Sequence, residues 1–158
     1  SISENYYLHK DLTNLKGSYF ITALDRSGNE SIPSDTVHRD NCPYYLLPNV
    51  FTPNEDGKND FFTPFYSDGS IPNFDYNKCP RFVKSVIFNV FDRTGVKLFS
   101  YNSLEDVENG IYINWDGKDF DGKDLASGTY YFTADVIYDI LDKENHQKQI
   151  KGWVQILK

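Results

Sequence analysis

Between Leu47 and Phe62 the chain reads LPNVFTPNEDGKNDFF, and no other stretch limits the fold so strongly. Pro48 and Pro53 bracket the apolar pair Val50 and Phe51. Proline fixes φ and donates no hydrogen bond, so this segment is an edge strand or an extended lead-in, not a helix. Residues 54–60 are a dense cluster of turn formers. Asn and Asp tolerate the left-handed region and bond their own backbone, and Gly57 enters positive φ freely. Phe61 and Phe62 then send the chain back into a core. Two readings of the cluster stand. Asn54, Asp56 and Asp60, with Asn59, place oxygens at spacings that suit a hard cation, which makes a calcium loop one reading. The other is an Asx-rich turn whose side chains cap backbone amides. It is no EF-hand, because Gly57 stands fourth and Phe65, not Glu, occupies the twelfth position. A second cluster, Asp119, Asp121 and Asp124 around Gly122, carries the same two readings more weakly.

The remainder reads as strands. Phe82 to Phe91 is apolar on both faces, which predicts a central strand buried on both sides. Asp92-Arg93-Thr94-Gly95 turns it into a return strand from Val96 to Tyr101. Gly110 to Trp115 reads as a short strand, and DGKDFDGKDLASG (116–128) as a loop with tight turns. In the predicted strand from Tyr130 to Leu141, Phe132, Ala134, Val136, Tyr138 and Ile140 share a core face with Tyr130. Gln149 to Lys158 is a last strand with Ile150, Val154 and Ile156 inward and Trp153 and Leu157 on the opposite face. No stretch keeps a 3.6-residue period beyond two turns. The predicted fold class is all-β: an Ig-like antiparallel β-sandwich of about seven strands, preceded by a β-hairpin fragment. In that hairpin, residues 18–24 and 31–37 flank the turn Asp25 to Glu30. The expected boundary lies near Asp40, giving a hairpin over 1–40 and a second domain over 41–158.

Charge and motifs exclude several functions. The net charge of −7 argues against nucleic acid and against a polybasic membrane contact. No apolar run approaches the ~20 residues of a membrane helix. With neither a starting Met nor a signal peptide, the expectation is the C-terminal piece of a longer protein. His9, His38 and His146 are scattered and suggest no zinc site. No nucleophile elbow, P-loop or dinucleotide fingerprint occurs, so no catalytic residue and no enzyme is expected. Cys42 and Cys79 flank the organising stretch and read as a disulfide, with two free thiols as the alternative. A disulfide would imply an oxidising compartment.

LPNVFTPNEDGKNDFF, IFNVFDRTG (87–95), NWDGK (114–118), GTYYF (128–132) and KGWVQILK (151–158) together resemble the gliding-motility-associated C-terminal domain. This is the type B sorting module of the type IX secretion system in Bacteroidetes. Glu55 stands where that family has glycine, and the family's aromatic is missing at Thr94. The segment 19–37 resembles the last two strands of a fibronectin type III or related Ig-like domain.

The resemblance implies a C-terminal export and surface-targeting signal on a large cell-surface protein, passing through periplasm and outer membrane. The implied partners are outer-membrane β-barrels, a PorV-like shuttle and a PorP/SprF-like barrel. The candidate contact residues are Pro53, Asn54, Asp56, Gly57, Asn59 and Asp60 in the first loop, and Asp116 and Gly117 in the second. Lys151, Gly152, Trp153 and Lys158 are the candidates in the last strand. No cofactor is implied. The alternative, drawn from the aromatic content, is an adhesive or carbohydrate-binding β-sandwich, since Tyr and Trp stack on sugars.

Overall fold

The structure, a computed structural model, describes residues 6–8, 10, 12–66 and 73–158. The chain divides into two compact units, Ser1–Asn41 and Cys42–Lys158.

The first unit is a hairpin. β1 (Gly17–Tyr19) pairs antiparallel with β2 (Val37–Arg39), with Gly17 opposite Arg39. Further up the arm only an isolated bridge joins Leu24 to Glu30. The ladder between is broken into single bonds, Ser31 N–H to the Ala23 carbonyl at 2.8 Å and Ser34 N–H to Ile21 at 2.9 Å. Pro33 lies between those donors and has no N–H to give. The predicted longer strands are therefore interrupted.

The second unit is built on a five-stranded sheet. Its strands are β3 (Val50–Phe51), β4 (Val83–Phe91), β5 (Lys97–Asn102), β6 (Gly128–Tyr138) and β7 (Gln147–Ile156). They lie in the order β3-β7-β6-β4-β5. All neighbours are antiparallel except β3, which runs parallel to β7 at the sheet edge. The two prolines do give an edge strand. Its direction was not legible, because the partner lies about a hundred residues away, Val50 facing Gln155.

One face of this sheet carries the core. β4 contributes Val86, Phe88 and Val90, β6 contributes Phe132, Ala134, Val136 and Tyr138, and β7 contributes Val154 and Ile156. Tyr45, Leu47, Phe62, Ile113 and Trp115 close the core from the other side. There Phe62 and Trp115 form an antiparallel bridge in place of a second regular sheet. The chain is thus all-β and sandwich-like, with one regular layer and one irregular one. Trp115 is fully buried at the centre, 5.3 Å from Phe51 and 5.7 Å from Phe99 between ring centroids.

Three expectations need correction. β4 is buried on one face only, since Ile87 is 43% exposed. Gly110–Trp115 is turn rather than strand, apart from the bridge at Trp115. It lacks a ladder partner, and its carbonyls are met instead by buried tyrosines. Tyr101 donates to Gly110 at 2.6 Å and Tyr45 donates to Ile111 at 2.8 Å. Finally, Cys42 and Cys79 are free thiols. Tyr44 and Arg81 exchange both backbone bonds as an antiparallel bridge. Each cysteine lies two residues before one of these partners, so the opposed chains carry them to opposite ends of the bridge. Four extended residues span roughly 13 Å, whereas a disulfide requires Cα atoms within about 7 Å.

Three turns share one construction. Asp25, Asp92 and Asp119 each accept backbone amides two and four residues on through Oδ1, at 2.8–3.0 Å. In each, glycine follows at the fourth place with positive φ: Gly28, Gly95 and Gly122. This is the three-residue hairpin loop, a type I turn closed by a left-handed residue. Among the described residues, no helix is long and apolar enough to cross a membrane.

Candidate functional site

Asp60 shapes the loop after β3. Its Oδ1 accepts the amides of Asn54 (3.1 Å) and Glu55 (2.7 Å), and its Oδ2 accepts that of Gly57 (2.7 Å). Residues 55, 57 and 59 have φ of 63°, 81° and 53°. Left-handed residues alternating along a turn aim successive N–H groups into one concavity, a nest that binds an anion. Here the anion is the loop's own carboxylate. Asp56 and Asn54 add local caps: Asp56 Oδ1 accepts from Lys58 N–H at 2.8 Å, and Asn54 Nδ2 donates to Asp56 Oδ2 at 3.1 Å. The oxygens that a calcium ion would use are directed at backbone donors. Among the described residues no group of three His, Cys, Asp or Glu is arranged to hold a metal ion. As placed, Asn54, Asp56 and Asp60 fit an amide-capped turn and not a cation cage.

The second loop is built the same way, by residues that complete the core. The Trp115 indole N–H donates to the Lys118 carbonyl at 2.8 Å, which folds the WDGK turn over the ring. Asp116 accepts from Lys118 N–H at 3.1 Å and pairs with its ammonium at 2.9 Å. Gly117 is buried with φ +80°, and a Cβ there would stand 3.3 Å from Phe51 and Pro53 and 3.6 Å from Ile156. Glycine is required twice over, by conformation and by close approach.

That contact joins the segments. Phe51 and Pro53 come from the first loop, Gly117 from the second and Ile156 from the last strand. Leu157 N–H donates to Phe51 at 3.2 Å, and Lys158 N–H donates to Ser127 Oγ at 3.1 Å. Lys158 also pairs with Asp124 at 3.0 Å. A shallow cleft of about 140 Å³ opens between the loops, lined by Pro53, Glu55, Phe61, Asp116, Lys118 and Asp124. Asp60 lines it as well, so carboxylates dominate the cleft and Lys118 is the cation among its lining residues. The hydrogen bond and charge of Asp116, with Asp124 and Glu55 beyond, hold the Lys118 ammonium above its ordinary pKa. Lys158 holds the Asp124 carboxyl below its own. Lys118 and Glu55 were not singled out as contact residues in the sequence, and Asp124 was read there only as part of the weaker calcium-or-turn cluster. The signal for Lys118 was its place two residues after Asp116 with opposite charge.

Pro53, Asn54, Asp56, Gly57, Asn59, Asp60, Asp116, Gly117 and Lys158 therefore gather at one end of the unit. The other candidates of the last strand lie elsewhere. Gly152 is on the core face, where a Cβ would come within 2.6 Å of the Phe132 ring. Trp153, 47% exposed, stands on the open face of the sheet with the exposed Lys151.

The fold and the site define an all-β module with a one-sided core, whose separated loop segments meet at one end. The profile of the CHU_C type IX secretion signal domain matches residues 45–156, and the chain belongs to that family. It is a family of signal domains and not of enzymes. Membership implies interaction with the type IX secretion machinery and export across the outer membrane, to the cell surface or beyond. No curated protein sequence matches the chain. Among solved structures, dimeric latent PorU from Porphyromonas gingivalis is similar with a TM-score of 0.39 and 16% identity. The similarity covers 92% of this chain and 12% of that one.

Proposed function

We propose that Cys42–Lys158 is the address by which a larger surface protein is exported and held, and that the machinery reads the end where the two loops and the last strand meet. The observation that carries this is the Gly117 contact, which gathers Phe51, Pro53 and Ile156 from segments far apart in sequence. A chain needing only stability would have no reason to bring its turn-rich signature blocks to one exposed end. Outer-membrane β-barrels, a PorV-like shuttle and a PorP/SprF-like holding barrel, are the proposed partners. The carboxylates of Glu55, Asp116 and Asp124, with Lys118 and Lys158 paired among them, fix the docking register, since complementary charge sets specificity and approach rate. The cargo reaches the cell surface through periplasm and outer membrane.

The test is a reporter carrying the chain in a host with a type IX system. Trimming Gly152–Lys158 is uninformative, because it removes the buried Val154 and Ile156 and with them the fold. Lys118→Glu with Lys158→Glu alters the end without touching the core. Surface reporter is expected to fall several-fold while melting temperature stays nearly unchanged. Undiminished delivery of the folded variant defeats the reading.

A further inference from the structure

The sheet has a second face, and no described residue of Cys42–Lys158 forms a layer over it. Register defines what it presents. One row crosses four strands: Trp153 opposite Tyr131, Tyr131 opposite Phe91, and Phe91 opposite Lys97. The next row is Lys151, Thr133, Asn89 and Ser100, each opposite the next. Trp153 and Tyr131 are 47% and 51% exposed, and Phe91 is half-buried beside them. Asn89 Oδ1 accepts from Ser100 at 3.0 Å and from Lys97 at 3.5 Å, which holds the polar row in place.

From this geometry we infer that the open face binds an acidic polysaccharide, and this goes beyond the export reading because it uses a different surface. Three rings on adjacent strands make a ledge roughly 10 Å long and one residue wide. That is too narrow for the apolar centre of a stable protein interface, which buries roughly 800 Å² on each side. It suits a chain of pyranose rings, whose C–H faces stack on aromatics while their hydroxyls meet the neighbouring amide, hydroxyl and ammonium groups. Charge selects the class of sugar. The molecule carries −7 overall. Yet the charged groups of these two rows are Lys97 and Lys151, and the next row sets one carboxylate, Asp135, held by Gln149 at 2.8 Å, against these two ammoniums. An acidic molecule with a locally cationic aromatic ledge complements carboxylate-bearing sugars. A nucleic acid strand would demand more lysines against the overall charge.

The two tryptophans make the test direct, because Trp115 is fully buried and Trp153 is half-exposed. The full chain is titrated with polygalacturonate while acrylamide quenching is followed. The polymer is expected to shield Trp153, and binding to weaken with added salt. Trp153→Ala, or Tyr131→Ala should the first fail to fold, is expected to weaken retention in a polygalacturonate gel by about ten-fold. Lys97→Gln with Lys151→Gln should do the same, and fully methyl-esterified polymer should bind several-fold less tightly. Absence of shielding, retention surviving both ring variants, equal binding of the neutral ester, or equal competition by poly(dT) would each overturn the inference.

Discussion

Two residues of the first loop, Asp60 and Glu55, have opposite effects on its stability. Asp60 fills a nest of three amides with its own carboxylate. Asp60→Ala strips three exposed amides of their shared acceptor and leaves them to water, and a loss of about 1 kcal/mol is expected, read as a lower denaturant midpoint. Asp60→Asn should recover part of it, since one acceptor oxygen remains. Glu55 sits at φ 63°. A left-handed conformation costs a residue with Cβ roughly 1 kcal/mol, which explains the glycine that the resembled family form carries there. Glu55→Gly is therefore expected to raise stability by up to about 0.5 kcal/mol, after glycine's own entropic cost of about 0.5–1 kcal/mol. The turn chemistry of this loop was legible from its Asn, Asp and Gly alone. The nest was not, because it depends on which carboxylate turns inward, and sequence spacing treats Asp56 and Asp60 alike. Chelator should leave the midpoint unmoved if the loop is amide-capped as placed.

Alternation in β6 and β7 announced their core faces correctly, because period-two patterning is a local property of the strand. β4 misled, since its outer face is apolar too: Ile87 and Phe91 belong to the open side with Tyr131 and Trp153. An aromatic row kept for a surface is indistinguishable in sequence from one kept for a core. Gly152 was equally opaque. It read as part of a contact motif, yet it lies directly opposite Phe132, whose ring covers it. That ring is 5.6 Å from both Phe62 and Phe88. A methyl group at 152 must push the ring into this cluster, and overpacking of that kind costs about 1–3 kcal/mol. Gly152→Ala should lower the melting temperature by several degrees, and adding Phe132→Leu, whose smaller aliphatic side chain leaves room for the methyl, should restore part of it. Additive losses in the double variant would show that the two residues do not share the space.

Across the whole molecule, the buried tyrosines set how the fold responds to pH. Burial raises the Tyr45 hydroxyl far above its ordinary pKa, with Tyr101, Tyr112 and Tyr138 adding to the shift. Burial first, then the nearby Asp106, pushes Tyr101 up to about 12 from 10.0. Both hydroxyls donate to the turn at Gly110 and Ile111, so both must be neutral in the folded chain. A raised folded pKa gives stability that is complete below the unfolded value and is lost as pH climbs through the interval above it. The alkaline limb should therefore begin near pH 10, where the unfolded tyrosines ionise and the folded ones do not. The acid limb has the opposite sign. Hydrogen bonds from Asn29, Thr94, Asn109 and Asn145 lead in lowering Asp25, Asp92, Asp106 and Asp142 below 3.8, so their stabilisation holds above that value and fades as pH falls beneath it. A plateau between about pH 4 and pH 10 follows. Guanidinium midpoints across pH 9 to about 11.5 check the alkaline side. Tyr45→Phe should lower the midpoint at pH 8, since it strips the Ile111 carbonyl of its donor, but it should also flatten the decline above pH 10. A variant as steep as the parent would show that the alkaline loss arises from the growing net charge of an already acidic chain and not from the two tyrosines that pin the turn.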